Sequence, residues 1–516
     1  MDGSVRLPNT LWWLQLRLIG QRRLLMVGSA YAVILIGMLF TARSFKPDWR
    51  LSELVHLAIA ILAPVQCMLL IFGGCNTILV SLNRDHTGGM LVSHRLSPMS
   101  GSAVIWGYGV GSPVQMMVLW LVGLVFGSVL LLAAGQSVVP WLVGNGLLVS
   151  TSVMLWMLTV CLGMSQEKPA GAAGPMVLFS IVGIPLTVMF PGAGLISGAY
   201  AAIASYYAMK GSFTWEQVSA SVTASTALQP ITVALMVAMN AVLTGMWLVA
   251  ARNRFRRPDR PGFRVPLGVL LLMTWLVLSG VGILGFERLA PQSLLGEASS
   301  QMQFVASLEL SLLFALLPVS AACIERAMLI KGAVARSWTS RVPSRLLVVL
   351  GPLLICGVWA AMDIRWTEYD KETFGTALGR STFAAWGYSW LSMSAGLLAV
   401  DGFFRMIYLK KSRAATVTTW FLLLAWLLPP GIDYLLVFFD EIKSLEKLAF
   451  EPTLLFGCSP LGTLAIAWRL VRAPVVPGLI VQGVLAAVMV AMATKAERRE
   501  IHSRRAEGLA LPGLQR

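Results

Sequence analysis

Long apolar runs separated by short polar pieces lay out the whole chain. A membrane-spanning helix needs about 20 mostly apolar residues, and the first half has runs of that kind at 24–42, 54–82, 103–134, 138–164, 175–190 and 228–250. The second half repeats them near 266–286, 303–324, 346–363, 383–404, 416–439 and 475–494. Two further stretches are apolar but interrupted: 192–227, full of Gly, Ala and Ser, and 451–468, which carries Gly457, Pro460 and Gly462. Each stands just before the last run of its half. Broken backbone is tolerated at membrane depth only where protein covers it or it lines a water cavity, so both read as re-entrant hairpins. The pattern predicts an all-α polytopic membrane protein of roughly 12 transmembrane helices, in two six-helix halves, each with a re-entrant hairpin before its last helix. The first half is 1–257 with a lead-in helix at 5–23, the second is 258–505, and 506–516 is a C-terminal tail. Identity between the halves is slight, so what repeats is the layout.

Composition agrees with lipid as the main solvent. Hydrophobic residues are 57% of the 516 and charged residues 12%, against about 25% charged in a soluble globular chain. The net charge of +16 does not point to nucleic acid, because no soluble basic domain exists to carry it. The basic residues sit in short pieces between runs, as positive-inside topology requires. The strongest block, with Arg252, Arg254, Arg256, Arg257, Arg260 and Arg264, follows the sixth run. Pieces on the other side, such as 363–375 and 440–451, are acidic or mixed, while Arg43, Lys46, Arg50, Arg469 and Arg472 run against the alternation. This topology puts both termini in the cytoplasm of a multi-pass cell-membrane protein. The N-terminal segment, with Trp12 and Trp13 suited to the headgroup layer, lacks a small-residue cleavage site and reads as a lead-in helix, not a signal peptide.

Candidate chemistry is sparse. There is no G-x-x-x-x-G-K-[ST], no H-E-x-x-H and no G-x-S-x-G, so nothing supports an enzyme acting by itself or a cofactor bound by this chain. The six cysteines lie in or beside apolar runs without CxxC spacing and read as small buried hydrophobes. His86 and His94 share one polar piece and read as solvated. Ionisable residues inside runs mark ion or proton paths; the candidates are Glu309, Asp401 and Asp433. Asp401 is expected to snorkel into the cytosol with Arg405 and Asp433 to lie near the outer interface, which leaves Glu309 as the intramembrane polar site.

The richest polar piece is 83–102, NRDHTGGMLVSHRLSPMSGS, between the second and third runs. It holds the charges Arg84, Asp85 and Arg95, a Gly pair, a short amphipathic piece, and Leu96-Ser97-Pro98-Met99-Ser100. Ser97-Pro98 can end a helix sharply, because the residue before proline disfavours the α region. R-D-H-T-G-G-M-L followed by L-S-P-M-S, in this position, resembles the permease subunits of the ABC type-2 exporter family. Asp85 matches the family's acid after the second span, Thr87, Gly88 and Gly89 its turn, and Leu96 to Ser100 its Leu-Ser-Pro-Leu-Ser. Met90-Leu91 departs from the family's Leu-Glu, which removes an acidic contact. The resemblance covers residues 12–257, and the second half by layout alone.

The resemblance implies two permease-like halves and a chain without its own motor. Separate ABC-type ATPase subunits would bind ATP and Mg and press on the lead-in helix and on the coupling loop 83–102, through Arg84, Asp85, Thr87, Gly88, Gly89, Arg95, Leu96, Ser97, Pro98 and Ser100. In the second half the break 323–345 opens on an acid-base pair, Glu325-Arg326, which would be the second coupling point. Whether one chain makes the whole pore or copies self-associate stays open. The rival readings are an ion-coupled secondary transporter working through Glu309, and a non-transporting membrane assembly protein with an inherited layout.

Overall fold

In lipid every backbone N–H and C=O must be satisfied within the segment, which leaves helices as the means by which such apolar runs cross. The computed structural model describes residues 20–45, 51–97, 99–165, 230–256, 264–289, 297–330, 344–369, 382–410, 421–430, 432, 454–468 and 474–506. These residues are helical throughout, apart from turns, and contain no strand. Eight helices among them are long and apolar enough to cross a membrane, so the chain is an all-α, membrane-embedded, multi-helix protein. The lead-in residues 5–19 with Trp12 and Trp13, Pro98, the run 175–190, the stretch 192–227, Asp433 and the tail from 507 onward lie outside the described residues.

The chain divides into two compact units, Met1–Pro258 with Gly282–Gly296, and Asp259–Val281 with Glu297–Arg516. In the first unit α1 (Gln21–Phe45) precedes α2 (Leu51–Cys67), which continues through a π-helical turn, Met68–Gly73, into α3 (Gly74–Thr87). A π turn widens the ladder and leaves a carbonyl poorly used; here the Leu70 carbonyl accepts from the buried Trp156 indole at 2.9 Å. After α4 (Met90–Leu96) come α5 (Gly101–Trp106), a second π turn at Gly107–Gly111, α6 (Val114–Ala133), α7 (Val139–Ser165) and α8 (Pro230–Arg256). Leu35, Ile59, Leu62, Leu131 and Trp141 form a core where α1, α2, α6 and α7 meet. The α7–α8 interface is held midway by the Asn240 amide, which donates to Ser150 Oγ at 2.6 Å and Thr151 Oγ1 at 3.1 Å.

The second unit contains the start of α9 (Val265–Leu289), then α10 (Glu297–Ile330), α11 (Ser344–Tyr369), α12 (Thr382–Lys410), two short helices, α13 (Leu454–Gly457) and α14 (Pro460–Ala467), and α15 (Val475–Ala506). One hydroxyl gathers three helices: Ser311 Oγ on α10 accepts the Trp275 indole from α9 at 3.1 Å and the Trp359 indole from α11 at 3.2 Å. The most extensive interface here joins α12 to α15. The two backbones come close at Gly402, where a Cβ would stand 2.5 Å from the Met489 carbonyl carbon; only a residue without one fits.

The stretch 451–468 is broken as its Gly and Pro content predicts. Ser459 ends α13 and caps α14, its Oγ accepting from Gly462 N at 2.9 Å. All eight residues of α14 are buried, and at 1.5 Å per residue they span about 12 Å, far short of the roughly 30 Å hydrocarbon layer. Buried side chains take up the backbone freed by the break. The Gly457 carbonyl accepts from Thr463 Oγ1 at 2.8 Å and Gln482 Nε2 at 3.0 Å, and Gln482 Oε1 accepts from Ser392 at 2.8 Å.

Candidate functional site

The polar piece 83–102 folds as helix, tight turn, short helix and helix start. Thr87 Oγ1 donates back to the Asn83 and Arg84 carbonyls at 2.9 and 3.0 Å, and Gly89, at φ +71°, carries the chain into the left-handed turn that ends α3. The seven residues of α4 then run until Ser97, whose extended backbone (φ −75°, ψ 156°) precedes Pro98. Ser97 Oγ donates to the His94 carbonyl at 2.8 Å, and Ser100 Oγ accepts from Ala103 N at 3.2 Å to start α5. The Leu-Ser-Pro-Met-Ser piece is therefore a helix stop followed by a helix cap.

The two faces of α4 differ. Leu91, His94 and Arg95 turn inward. Arg95 Nε donates to the Phe255 carbonyl at 3.0 Å, and its guanidinium lies 5.7 Å from the Phe255 ring centre, which ties α4 to the end of α8. Burial, and then the neighbouring Arg254, lower the Arg95 guanidinium below its ordinary pKa. Asp85 accepts the phenol proton of buried Tyr108, and the Tyr108 ring meets the His94 ring edge-on at 6.3 Å. The other face is bare: Leu96 is 83% exposed, Val92 54% and Met90 47%, and Arg84 and His86 beside them are exposed.

The structure thus gathers Asp85, Thr87, Gly88, Gly89, Arg95, Ser97 and Ser100 into one scaffold and leaves Arg84 and Leu96 on its surface. Sequence reasoning missed the scaffold's partners, Tyr108 and Phe255, which lie on other helices. It also misread one histidine. His86 is exposed as expected, but His94 is buried, because the helical register of α4 turns it inward together with Leu91.

In the second unit the expected pair Glu325-Arg326 lies inside α10, which continues to Ile330, so the break begins later than residue 323. Glu325 is buried, with no hydrogen-bond partner for its Oε2 among the described residues. Arg326 pairs with Glu497 of α15 at 3.2 Å. Glu497 also pairs at 3.3 Å with Arg405, and Arg405 in turn holds Asp401 at 3.0 Å and donates to Ser344 at the start of α11. Cys323 on α10 donates its thiol proton to Asp401 Oδ1 at 2.7 Å. Asp401 and Arg405 are 1% and 5% exposed, so the expected snorkelling into the cytosol is corrected. The pairing is as expected, but neighbouring helix ends close over it. Glu309 lies on α10, half-buried, two residues before Ser311.

The cysteines are free, and all are buried except Cys458, which is half-buried. Among the described residues no group of His, Cys, Asp or Glu could hold a metal ion. Fold and site together define a helical membrane-embedded protein with a short, one-face-exposed helix at a helix junction. No protein-family model, curated protein or solved structure matches the chain.

Proposed function

We propose that this chain is the membrane-spanning permease subunit of an ATP-driven exporter of the ABC type-2 kind, moved by a separate ATPase that docks on α4. The observation that carries the reading is the division of α4: an inner face fastened through Arg95 to Phe255 and an outer face of exposed Met90, Val92 and Leu96. A seven-residue helix so fastened passes a push on its outer face directly to α3, α5 and α8. ATP and Mg belong to the partner, and this chain hydrolyses none. The exposed face stands in the cytosol, and both termini with it, by the basic-residue alternation of the sequence.

The finer architecture is twelve crossings in two permease-like halves. In each unit the most extensive helix pair is parallel. Asn240 meets Ser150 while Leu82 approaches Gly163 at the end where Arg95 meets Phe255, so α7 and α8 run the same way. Ser392 meets Gln482 and Arg405 meets Glu497, so α12 and α15 do too. Parallel neighbours need a return crossing between them, which supports six spans per half. The short, buried α13–α14 element supports a re-entrant hairpin before the last one.

The test is labelling. Single cysteines at Met90, Val92 and Leu96, in the full chain co-purified with its ATPase, are expected to react with a water-soluble maleimide when the ATPase is absent and to be protected when it is bound. Equal labelling in both states sinks the docking assignment. A second reading, an ion-coupled transporter, draws on the buried Asp401 and Arg405 and the partly buried Glu497, since ionisable groups at membrane depth mark ion paths by default. Each of these is paired within the unit, which favours a structural part; transport that survives ATP depletion but not Glu309→Gln would favour the ion-coupled alternative.

A further inference from the structure

The last helix is too long to stop at the membrane surface. α15 has 32 residues, about 48 Å at 1.5 Å per residue, against a hydrocarbon layer of about 30 Å. Its exposed apolar side chains, Val484 (59%), Val488 (46%) and Met492 (45%), form one stripe. That stripe continues at helical spacing into Lys495, Arg498, Arg499 and His502, all exposed. At 3.6 residues per turn these four lie on the face of Val484 and Val488, so one line of side chains passes from apolar to basic.

Two further observations make this an uncompensated, rigid row. The carboxylates in the same segment are both engaged elsewhere: Glu497 with Arg326 and Arg405 at 3.2 and 3.3 Å, and Glu500 with Arg504 at 3.2 Å. The opposite face is held to the unit by the Glu497 pairs and by Ile501, which packs against Ala327, Ile330 and Leu409. A second helix adds to the rim. Exposed Arg345 at the start of α11 donates to Thr494 Oγ1 at 3.4 Å, and α11 carries its own exposed apolar stripe, Leu346, Val349 and Leu353.

We propose that Arg345, Lys495, Arg498 and Arg499 bind the headgroup of an anionic phospholipid whose acyl chains lie on the apolar stripes of α11 and α15. The inference needs the chain to be membrane-embedded but does not need it to be an exporter. Charge alone would accept any anion. Continuity with two lipid-facing stripes selects a lipid, and basic positions at the membrane edge attract anionic headgroups.

Native mass spectrometry of the full chain, released from vesicles of equal phosphatidylglycerol and phosphatidylcholine, reads the ratio of retained lipids. The wild type is expected to retain phosphatidylglycerol preferentially. K495Q/R499Q is expected to lower the ratio about fivefold for each charge removed, K495R/R499K to preserve it, and R345Q, on the other helix, to lower it about fivefold. All four side chains are exposed, and an unchanged Tm in detergent verifies the fold of each variant. An unchanged ratio in both K495Q/R499Q and R345Q overturns the proposal. So does displacement of the retained lipid by excess glycerol phosphate, which would assign the charges to a soluble anion.

Discussion

Each unit gathers charged residues where several helices end, yet the two clusters are built to opposite purposes. In the second unit one guanidinium, Arg405, joins α12 to α11 through Ser344 and to α15 through Glu497, while Asp401 below it accepts a hydrogen bond from the Cys323 thiol on α10. Everything points inward. In the first unit Arg95 and Asp85 likewise point inward, to Phe255 and Tyr108, but they serve to seat a short helix whose other face, Met90, Val92 and Leu96, stands exposed. Charge therefore does not tell a lock from a docking surface. What tells them apart is whether the side chains beside the charge are covered.

The sharpest way to break the comparison is to open the lock. Arg405→Met leaves Asp401 buried beside the Cys323 thiol with no cation, and removing one member of a buried ion pair costs about 3–5 kcal/mol. A large fall in Tm in detergent is expected. The double variant R405M/D401L removes both charges, and Glu497 still has Arg326; it is expected to recover most of the loss, because buried pairs exchange for apolar groups at little net cost. A double variant as unstable as the single would mean that the network does more than satisfy its own charges.

Next in size is Gly402→Val. A side chain there collides with the Met489 carbonyl across the α12–α15 interface, and overpacking of this kind costs about 1–3 kcal/mol. Unfolding in detergent measures it. Gly387, on the same helix with open space around its Cβ position, is the control, and Gly387→Ala is expected to leave Tm unchanged or raise it slightly, because glycine inside a helix costs about 0.5–1 kcal/mol relative to alanine.

These sites also show what could be read from the chain beforehand. Periodicity located the apolar helices, because hydrocarbon tolerates almost nothing else, and α1, α7 and α15 begin and end within a few residues of their runs apart from the long C-terminal extension of α15. Gly457, Pro460 and Gly462 gave away the broken element, since they cannot continue a helix cleanly. The polar piece 83–102 stood out by composition, and Gly89 and Ser97-Pro98 set the limits of its short helix α4. Its partners did not stand out. Tyr108 is an ordinary aromatic in an apolar run and Phe255 one among arginines, and only their contacts with Asp85, His94 and Arg95 make them matter. Asp401 and Arg405 were paired by their i, i+4 spacing, but their burial depends on Ser344 and Glu497, distant in sequence. The extension of α10 to Ile330 over Glu325 and Arg326 was hidden by their charge, which reads as a loop until partners on another helix are known.

Tyr108→Phe probes the seat of α4 from within. It deletes the proton donated to Asp85 and leaves a half-buried carboxylate without that bond; hydrogen bonds to charged groups are worth about 1.5–3 kcal/mol, with the lower part of that range expected because Asp85 reaches water. The drop in Tm should be smaller than for Arg405→Met. A drop of equal size would mean that this site, too, locks helices together.

Leu96→Ser has the smallest expected effect on stability and the most specific one on function. Leu96 is 83% exposed and its neighbours inside α4 are unaffected by its loss, so stability should change by less than about 0.5 kcal/mol, the ordinary range for surface positions, and Tm should barely move. If α4 is where a motor pushes, the same change removes the most prominent apolar side chain of the contact, and truncating an anchor of that kind weakens association by about 2 kcal/mol or more. ATPase retained on the purified chain should then fall at least about thirtyfold at subsaturating concentration, with the fold intact. Val92→Ser, on the same face, should act in the same direction, and Leu91→Ser, on the inner face, should instead unfold the seat and lower Tm. The pattern outer face for binding, inner face for stability separates a docking helix from one that only packs. If Leu96→Ser and Leu91→Ser both changed stability and neither changed retention, α4 would belong with Arg405 among the internal locks.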